Sequence, residues 1–402
     1  HGPVFLLRDT GQEALFVARH RLTQYSVEGA EQAFTHDGLE YPRGSWIIGA
    51  GRGLKNALDV VAKELGLDFA SAAKAPDVPT HLLDLPRLAV LHTCNDTQAT
   101  GWVRMLFDQS KIRYELINDD DIKKGRLHRR FDVILYPHTD DSLKSVIQGI
   151  DPKHGPMPYT RTREFTSHGT PDSSPDITGG LTFRGLANLQ EFVESGGVLV
   201  TVGGASRVVI DAGFARGVHA APTEELHTPG VEIRTRFPRP DHPIAYGYPE
   251  ITSVFRQDLT LHQTREADLG QVVLQWGTEP LQYHDEKSAD DGPWGVGDET
   301  EQAAPENESA SSPDGRPEPQ PPLVVSGGMT GESELQGRPA ILDIPLGRGR
   351  IVAFGFDPIH RSLARSDFRL VWNALLNWND LPEPIANPPT ISRASSDTGS
   401  GD

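Results

Sequence analysis

The chain has 402 residues, 40 of them glycine and 32 proline, with 38 Lys and Arg against 56 Asp and Glu for a net charge of −18. That balance excludes the basic footprint of a nucleic-acid binder and disfavours an anionic membrane surface, and no apolar run reaches the roughly 18 residues of a membrane span. The single cysteine, Cys94, excludes a disulfide framework, a cysteine-based zinc site and a CxxC redox pair.

Residues 1–85 read as a small α/β segment. Residues 3–7 and 45–48 are short apolar strands, and residues 54–65 (LKNALDVVAKEL) space their apolar side chains as a helix does. Gly66 follows as a natural helix stop. Residues 72–86, with Pro76, Pro79 and Pro86, read as a linker. The chain opens at His1 inside this folded run, as a fragment or a processed product would.

A larger unit spans residues 86–380. Residues 88–93 (LAVLHT) form an apolar strand, and residues 101–110 (GWVRMLFDQS) form a helix with Trp102, Met105 and Leu106 facing inward. Strands at 114–118, 131–137 and 198–203 follow, with a short helix in DDDIKKG and a longer one over 182–195 that stops at Gly196-Gly197. Strands alternating with helices predict a parallel, doubly wound sheet. Residues 216–284 carry mostly short strand-like runs and read as a β-rich insertion. Residues 285–320 are acidic, rich in Pro and Ser and poor in large apolar side chains, which predicts a disordered loop. PAILDIPLGRGRIVAFGF then reads as a hairpin turning at 346–349, residues 366–378 as a closing helix, and residues 381–402 as a disordered tail.

Three blocks in this unit carry a resemblance. They are Gly101-Trp102-Val103-Arg104, the glycine-bounded run from Gly179 to Gly197, and the stretch from Ser326 to Arg361 that ends in FGFDPIHR. Together they resemble a class I glutamine amidotransferase-like domain, in the version found C-terminal to the peptidase domain of bacterial secreted zinc carboxypeptidase-like proteins. The resemblance implies a flavodoxin-like fold, with residues 1–85 joining it to an upstream peptidase domain of the same polypeptide. It also implies a secreted or periplasmic setting and a parent protein that hydrolyses peptides with zinc. None of the fifteen histidines begins an H-x-x-E zinc motif. The nearest approaches are His81 with Asp84 and His138 with Asp141, so no metal or cofactor is assigned to this chain and the zinc belongs to the parent's peptidase domain.

A glutaminase needs a cysteine on the sharp turn between a strand and a helix. That turn falls at residues 201–206 and holds no cysteine, while Cys94 sits on another loop and reads as a small buried residue. The expectation is therefore a non-catalytic accessory domain. An alternative is a residual serine-type hydrolase using Ser206 and His360. Against it, Arg207-Val208-Val209 departs from the small residues of a G-x-S-x-G elbow. The competing reading has Ser206 capping the helix and His360 dressing the start of the last one. A second alternative is a small-ligand site on the rim formed by His92, Asn95 and Asp96 after the first strand and His138 and Asp140 after the third. Asp119, Asp120, Asp121, Asp140 and Asp141 suit either a hard cation or a solvated acidic loop.

Overall fold

A computed structural model describes residues 4–170, 172–284 and 321–384. The acidic run 285–320 and the tail from 385 onward lie outside them. From residue 88 the alternating elements build a mixed α/β sheet. Leu88–Leu91 runs parallel to Glu115–Ile117 on one side and to Val133–Tyr136 on the other, and Val198–Val202 and Gly349–Phe354 continue the parallel block. The strands Leu88–Leu91, Val133–Tyr136 and Val198–Val202 are buried at every residue, as the apolar runs require when both faces are covered. Leu88, Val90, Val133, Leu135 and Val200 join one apolar cluster with the helices Gln98–Ser110 and Arg365–Leu376. Ala89, Leu91, Ile134, Tyr136 and Leu199 join another with the helices Thr182–Glu194 and Gly204–Asp211.

The helix Gln98–Ser110 buries Thr100, Val103, Leu106 and Phe107 rather than Trp102 and Met105. Apolar residues lie on more than one of its faces, so spacing alone does not choose the buried one.

Residues 216–284 are rich in strands, but part of the stretch belongs to the main sheet. Val231–Arg236, Ile251–Arg256 and Val272–Trp276 attach antiparallel through Pro339–Leu346 to Gly349–Phe354. Val218–Ala220, His262–Arg265 and Tyr283–His284 form a separate three-stranded sheet. In the hairpin, Leu346 lies opposite Gly349, so the turn is Gly347-Arg348.

The N-terminal segment is an antiparallel five-stranded sheet, in the order Phe69–Ala72, Val4–Leu7, Trp46–Ile48, Val27–Ala30, Thr80–Leu82. Two helices, Ala14–Arg21 and Leu54–Leu65, accompany it. The expected linker thus contains an edge strand. Its prolines flank Thr80–Leu82 without interrupting it, and an edge strand tolerates them there. Nor does packing stop at residue 85. Phe16 stacks on Trp372 of the closing helix at 5.1 Å, and Trp372 meets Phe107 at 5.5 Å. Buried Arg369 pairs with buried Asp9 and donates to the Gln12 carbonyl at 2.6 Å. Among the described residues no helix is long and apolar enough to cross a membrane.

Candidate functional site

The strand Val198–Val202 passes into the helix Gly204–Asp211 through one residue, Gly203, at φ 56° and ψ −121°. A sharp strand-to-helix turn of this kind is where hydrolases hold a nucleophile, with the next backbone N–H serving the oxyanion. Here the tip carries no side chain. A Cβ on Gly203 would meet His138 Nδ1 at 2.7 Å, and one on Gly204 would meet the Thr139 carbonyl oxygen at 1.8 Å. The Gly204 N–H already donates to His138 Nδ1 at 3.0 Å. Because Nδ1 accepts, a neutral His138 carries its proton on Nε2, which faces Asp140 Oδ1 at 3.3 Å.

Ser206 is not on the elbow. It lies within the helix, fully buried, donating to the Phe354 carbonyl at 2.8 Å and lying 3.0 Å from Thr201 Oγ1. It is not the helix cap either, since Gly203 holds that position without a side-chain bond. His360 stacks beside Phe255 at 5.8 Å, with Nδ1 3.8 Å from Asp357 Oδ2. The structure does not bring Ser206 and His360 together: the Ser206 hydroxyl is spent on Phe354, the last residue of the strand Gly349–Phe354. Cys94 is half-buried, and burial together with Asp119 and Asp172 pushes its thiol up to about 11, far from a reactive thiolate.

A cavity of about 430 Å³ opens at the C-terminal ends of Leu88–Leu91 and Glu115–Ile117, lined among others by His92, Cys94, Arg104, Asn118, Tyr159 and Asp172. His92 and Asn118 each follow directly on one of these strands, so the sheet fixes both. They converge on Asp172 of a long loop, His92 Nε2 at 3.1 Å and Asn118 Nδ2 at 2.6 Å from the same oxygen. The loop is held by paired backbone bonds between Tyr159 and Ser174. Asn118 also caps the helix Asp119–Lys124 through Oδ1. The His92 hydrogen bond outweighs burial and holds the Asp172 carboxyl below its usual range. Arg104, on the helix Gln98–Ser110, also lines the cavity, and its Nε is buried without a hydrogen-bond partner. Asp119 lies in an adjoining crevice with Cys94 and Asn118; its Oδ1 is buried without a partner, and burial pushes its carboxyl up to about 7.

The expected rim thus divides. His92 belongs to this cavity. Asp96, His138, Asp140 and His360 line a second one of about 200 Å³ beside the elbow. Asp96 braces a loop there, accepting from Thr139 Oγ1 and the Asp140 N–H. Asn95 lines neither cavity and reaches towards the Ser145 carbonyl at 3.5 Å. Asp120 and Asp121 are not a loop cluster but the first turn of a helix, paired with Lys123 and Lys124 at 2.9 and 3.0 Å. Asp172 and Tyr159 escaped the sequence reading, because a polar, proline-containing loop offers no periodicity to place them. Arg104 was legible as the end of the block Gly101–Arg104 and as a residue suited to pairing with an acid, not as part of this cavity.

No family model and no curated protein matches this chain. Similar solved structures include a β-galactosidase from Bacillus circulans, at 11% identity and TM-score 0.35 over 72% of this chain, which spans only 30% of that one. A ThuA-like protein from Bacteroides uniformis matches at 10% identity and TM-score 0.35, over 72% of this chain and 90% of that one. A chain of PurLQS from Thermotoga maritima matches at 11% identity and TM-score 0.35, over 73% and 99%. At such values nothing about activity passes from them to this chain.

Proposed function

We propose that the chain is a flavodoxin-like, doubly wound class I amidotransferase-like domain that performs no catalysis. It binds a small zwitterion, a free amino acid or a dipeptide, in the cavity around Asp172. It does so as an accessory to a zinc carboxypeptidase-like peptidase domain. The elbow carries the non-catalytic part: its tip is Gly203, and the Gly204 N–H that would stabilise an oxyanion is engaged by His138. The strand order, with the first parallel strand between the second and third, supports the fold. The cavity supports the ligand class. Asp172 stays anionic beside His92 and suits an ammonium group, Asn118 adds an amide, and Arg104 in the same lining suits a carboxylate. The peptidase association rests on the sequence blocks around Gly101–Arg104 and Ser326–Arg361.

Activity assays test this reading. The 402-residue chain is expected to release neither ammonia from glutamine nor amino acids from peptides with added zinc. The polypeptide extended upstream through its peptidase domain is expected to release C-terminal amino acids in a zinc-dependent way. Either activity in the 402-residue chain contradicts the proposal, and an inactive extended polypeptide removes the peptidase association.

A further inference from the structure

His81 was weighed in the sequence as a zinc ligand with Asp84, but the fold gives it other neighbours. The Asp84 carbonyl accepts from Trp378 Nε1 at 2.9 Å. The His81 imidazole instead faces Glu31, just past the strand Val27–Ala30, and Asp380, just past the closing helix. Nδ1 lies 3.0 Å from Asp380 Oδ2 and 3.6 Å from Glu31 Oε1, and one ligand atom from each residue lies within 4.8 Å of the other two. The imidazole is 6% exposed and the two carboxylates 38% and 39%.

The hydrogen bonds around this group fix the tautomer. Asn377 Nδ2 donates to the Asn373 carbonyl at 2.9 Å, so its Oδ1 faces His81 Nε2 at 2.8 Å and can only accept. Nε2 therefore carries a proton. A neutral His81 then aims the lone pair of Nδ1 at two carboxylates, and Nδ1 is buried without a hydrogen-bond partner. Two carboxylates facing that nitrogen are balanced either by a proton on Nδ1 or by a metal ion bound to it. Asn377 does for His81 what an outer hydrogen bond does for a metal-ligating imidazole, fixing both tautomer and ring orientation. The backbone holds the other ligands: the Glu31 N–H donates to the Pro79 carbonyl, and the Asp380 N–H to that of Asn377.

We propose that Glu31, His81 and Asp380 bind one divalent transition-metal ion, which ties the edge strand Thr80–Leu82 to the segment behind the closing helix. One imidazole nitrogen and two carboxylate oxygens suit zinc, whose bonds to such ligands run about 2.0–2.2 Å. Calcium suits the site poorly, because it takes six or more oxygens. Among the described residues this is the group of His, Cys, Asp and Glu side chains whose ligand atoms come close enough to share an ion.

The test is calorimetric titration of zinc chloride into the chelator-stripped 402-residue chain, with calcium chloride run in parallel. The expected result is one zinc per chain at this site, with calcium bound much more weakly. Glu31→Gln and Asp380→Asn replace half-exposed groups with isosteric amides and should fold; each should weaken zinc at least about tenfold. Cobalt substitution should give a visible absorption band that His81→Ala abolishes. Absence of zinc binding, or binding unchanged in Glu31→Gln and Asp380→Asn, overturns the proposal and leaves His81 an imidazolium paired with two carboxylates.

Discussion

At the residue scale, the chemistry of this chain turns on groups whose surroundings were invisible in the sequence. The missing cysteine was legible, and so was the strand-to-helix turn. That the tip is Gly203 rather than Ser206 was not, because four consecutive small residues, Gly203 to Ser206, offer no signal of which one takes the strained conformation. Ser206→Ala should lower stability by about 1–3 kcal/mol in urea unfolding, since it leaves the buried Thr201 hydroxyl without its partner and the Phe354 carbonyl with the Gly203 N–H alone. It should leave ligand binding unchanged; loss of an activity would return Ser206 to the catalytic candidates. Asp119 gives a pH prediction. Its carboxyl ionises near 7 in the fold against an ordinary value of 3.8, so the folded state holds the extra proton between those limits. Its contribution to stability is full below about pH 4 and is lost as pH rises through 7. His20 and His262, held down to about 4 chiefly by burial, act with the opposite sign as pH rises from 4 to 6.5. The informative quantity is therefore a difference. The unfolding free energy of Asp119→Asn relative to the parent chain should rise with pH across 4–7, and a flat difference would contradict the assignment.

At the scale of elements, apolar spacing located the longer helices and the parallel strands but missed the helices Ala14–Arg21, Leu143–Gln148 and Glu332–Leu335. The helix at Leu54–Leu65 matches its apolar spacing end to end, and the five parallel strands are the apolar runs. What spacing did not give was partnership. Thr80–Leu82 is too short and too close to proline to announce itself, and only its pairing with Val27–Ala30 makes it a strand. Within residues 216–284 the runs Val231–Arg236 and Val272–Trp276 were legible as strands and Ile251–Arg256 was not, and nothing in them says that all three extend the main sheet, because antiparallel pairing across a long stretch leaves no local mark. The loop that delivers Asp172 has no regular structure to read. The elbow offers a direct check on this scale. Gly204→Ala places a methyl against the Thr139 carbonyl, a backbone atom that cannot swing away, and should destabilise the fold by more than about 2 kcal/mol. Full stability in Gly204→Ala would mean that the strand-to-helix turn is looser than described.

At the scale of the molecule, the N-terminal segment is fastened to the main unit by the closing helix. Trp372 bridges Phe16 and Phe107, and Arg369 is paired in a buried position with Asp9. A composition shift near residue 85 marks proline, not a gap in packing. Asp9→Ala leaves a buried guanidinium without its counter-ion and should cost about 3–5 kcal/mol. The loss should appear in a single cooperative transition followed by any probe, whereas separate melting of residues 1–85 would contradict a shared core. The same arrangement leaves the C-terminal ends of the parallel strands open, where the proposed ligand site lies. The direct measurement is calorimetric titration of the 402-residue chain with the common L-amino acids and a set of dipeptides, repeated on Asp172→Ala and Arg104→Ala. Saturable binding of at least one zwitterion is expected, weakened at least about tenfold in each variant by loss of a charge-assisted contact. Binding that neither substitution alters, or no binding across the whole panel, would contradict the proposal.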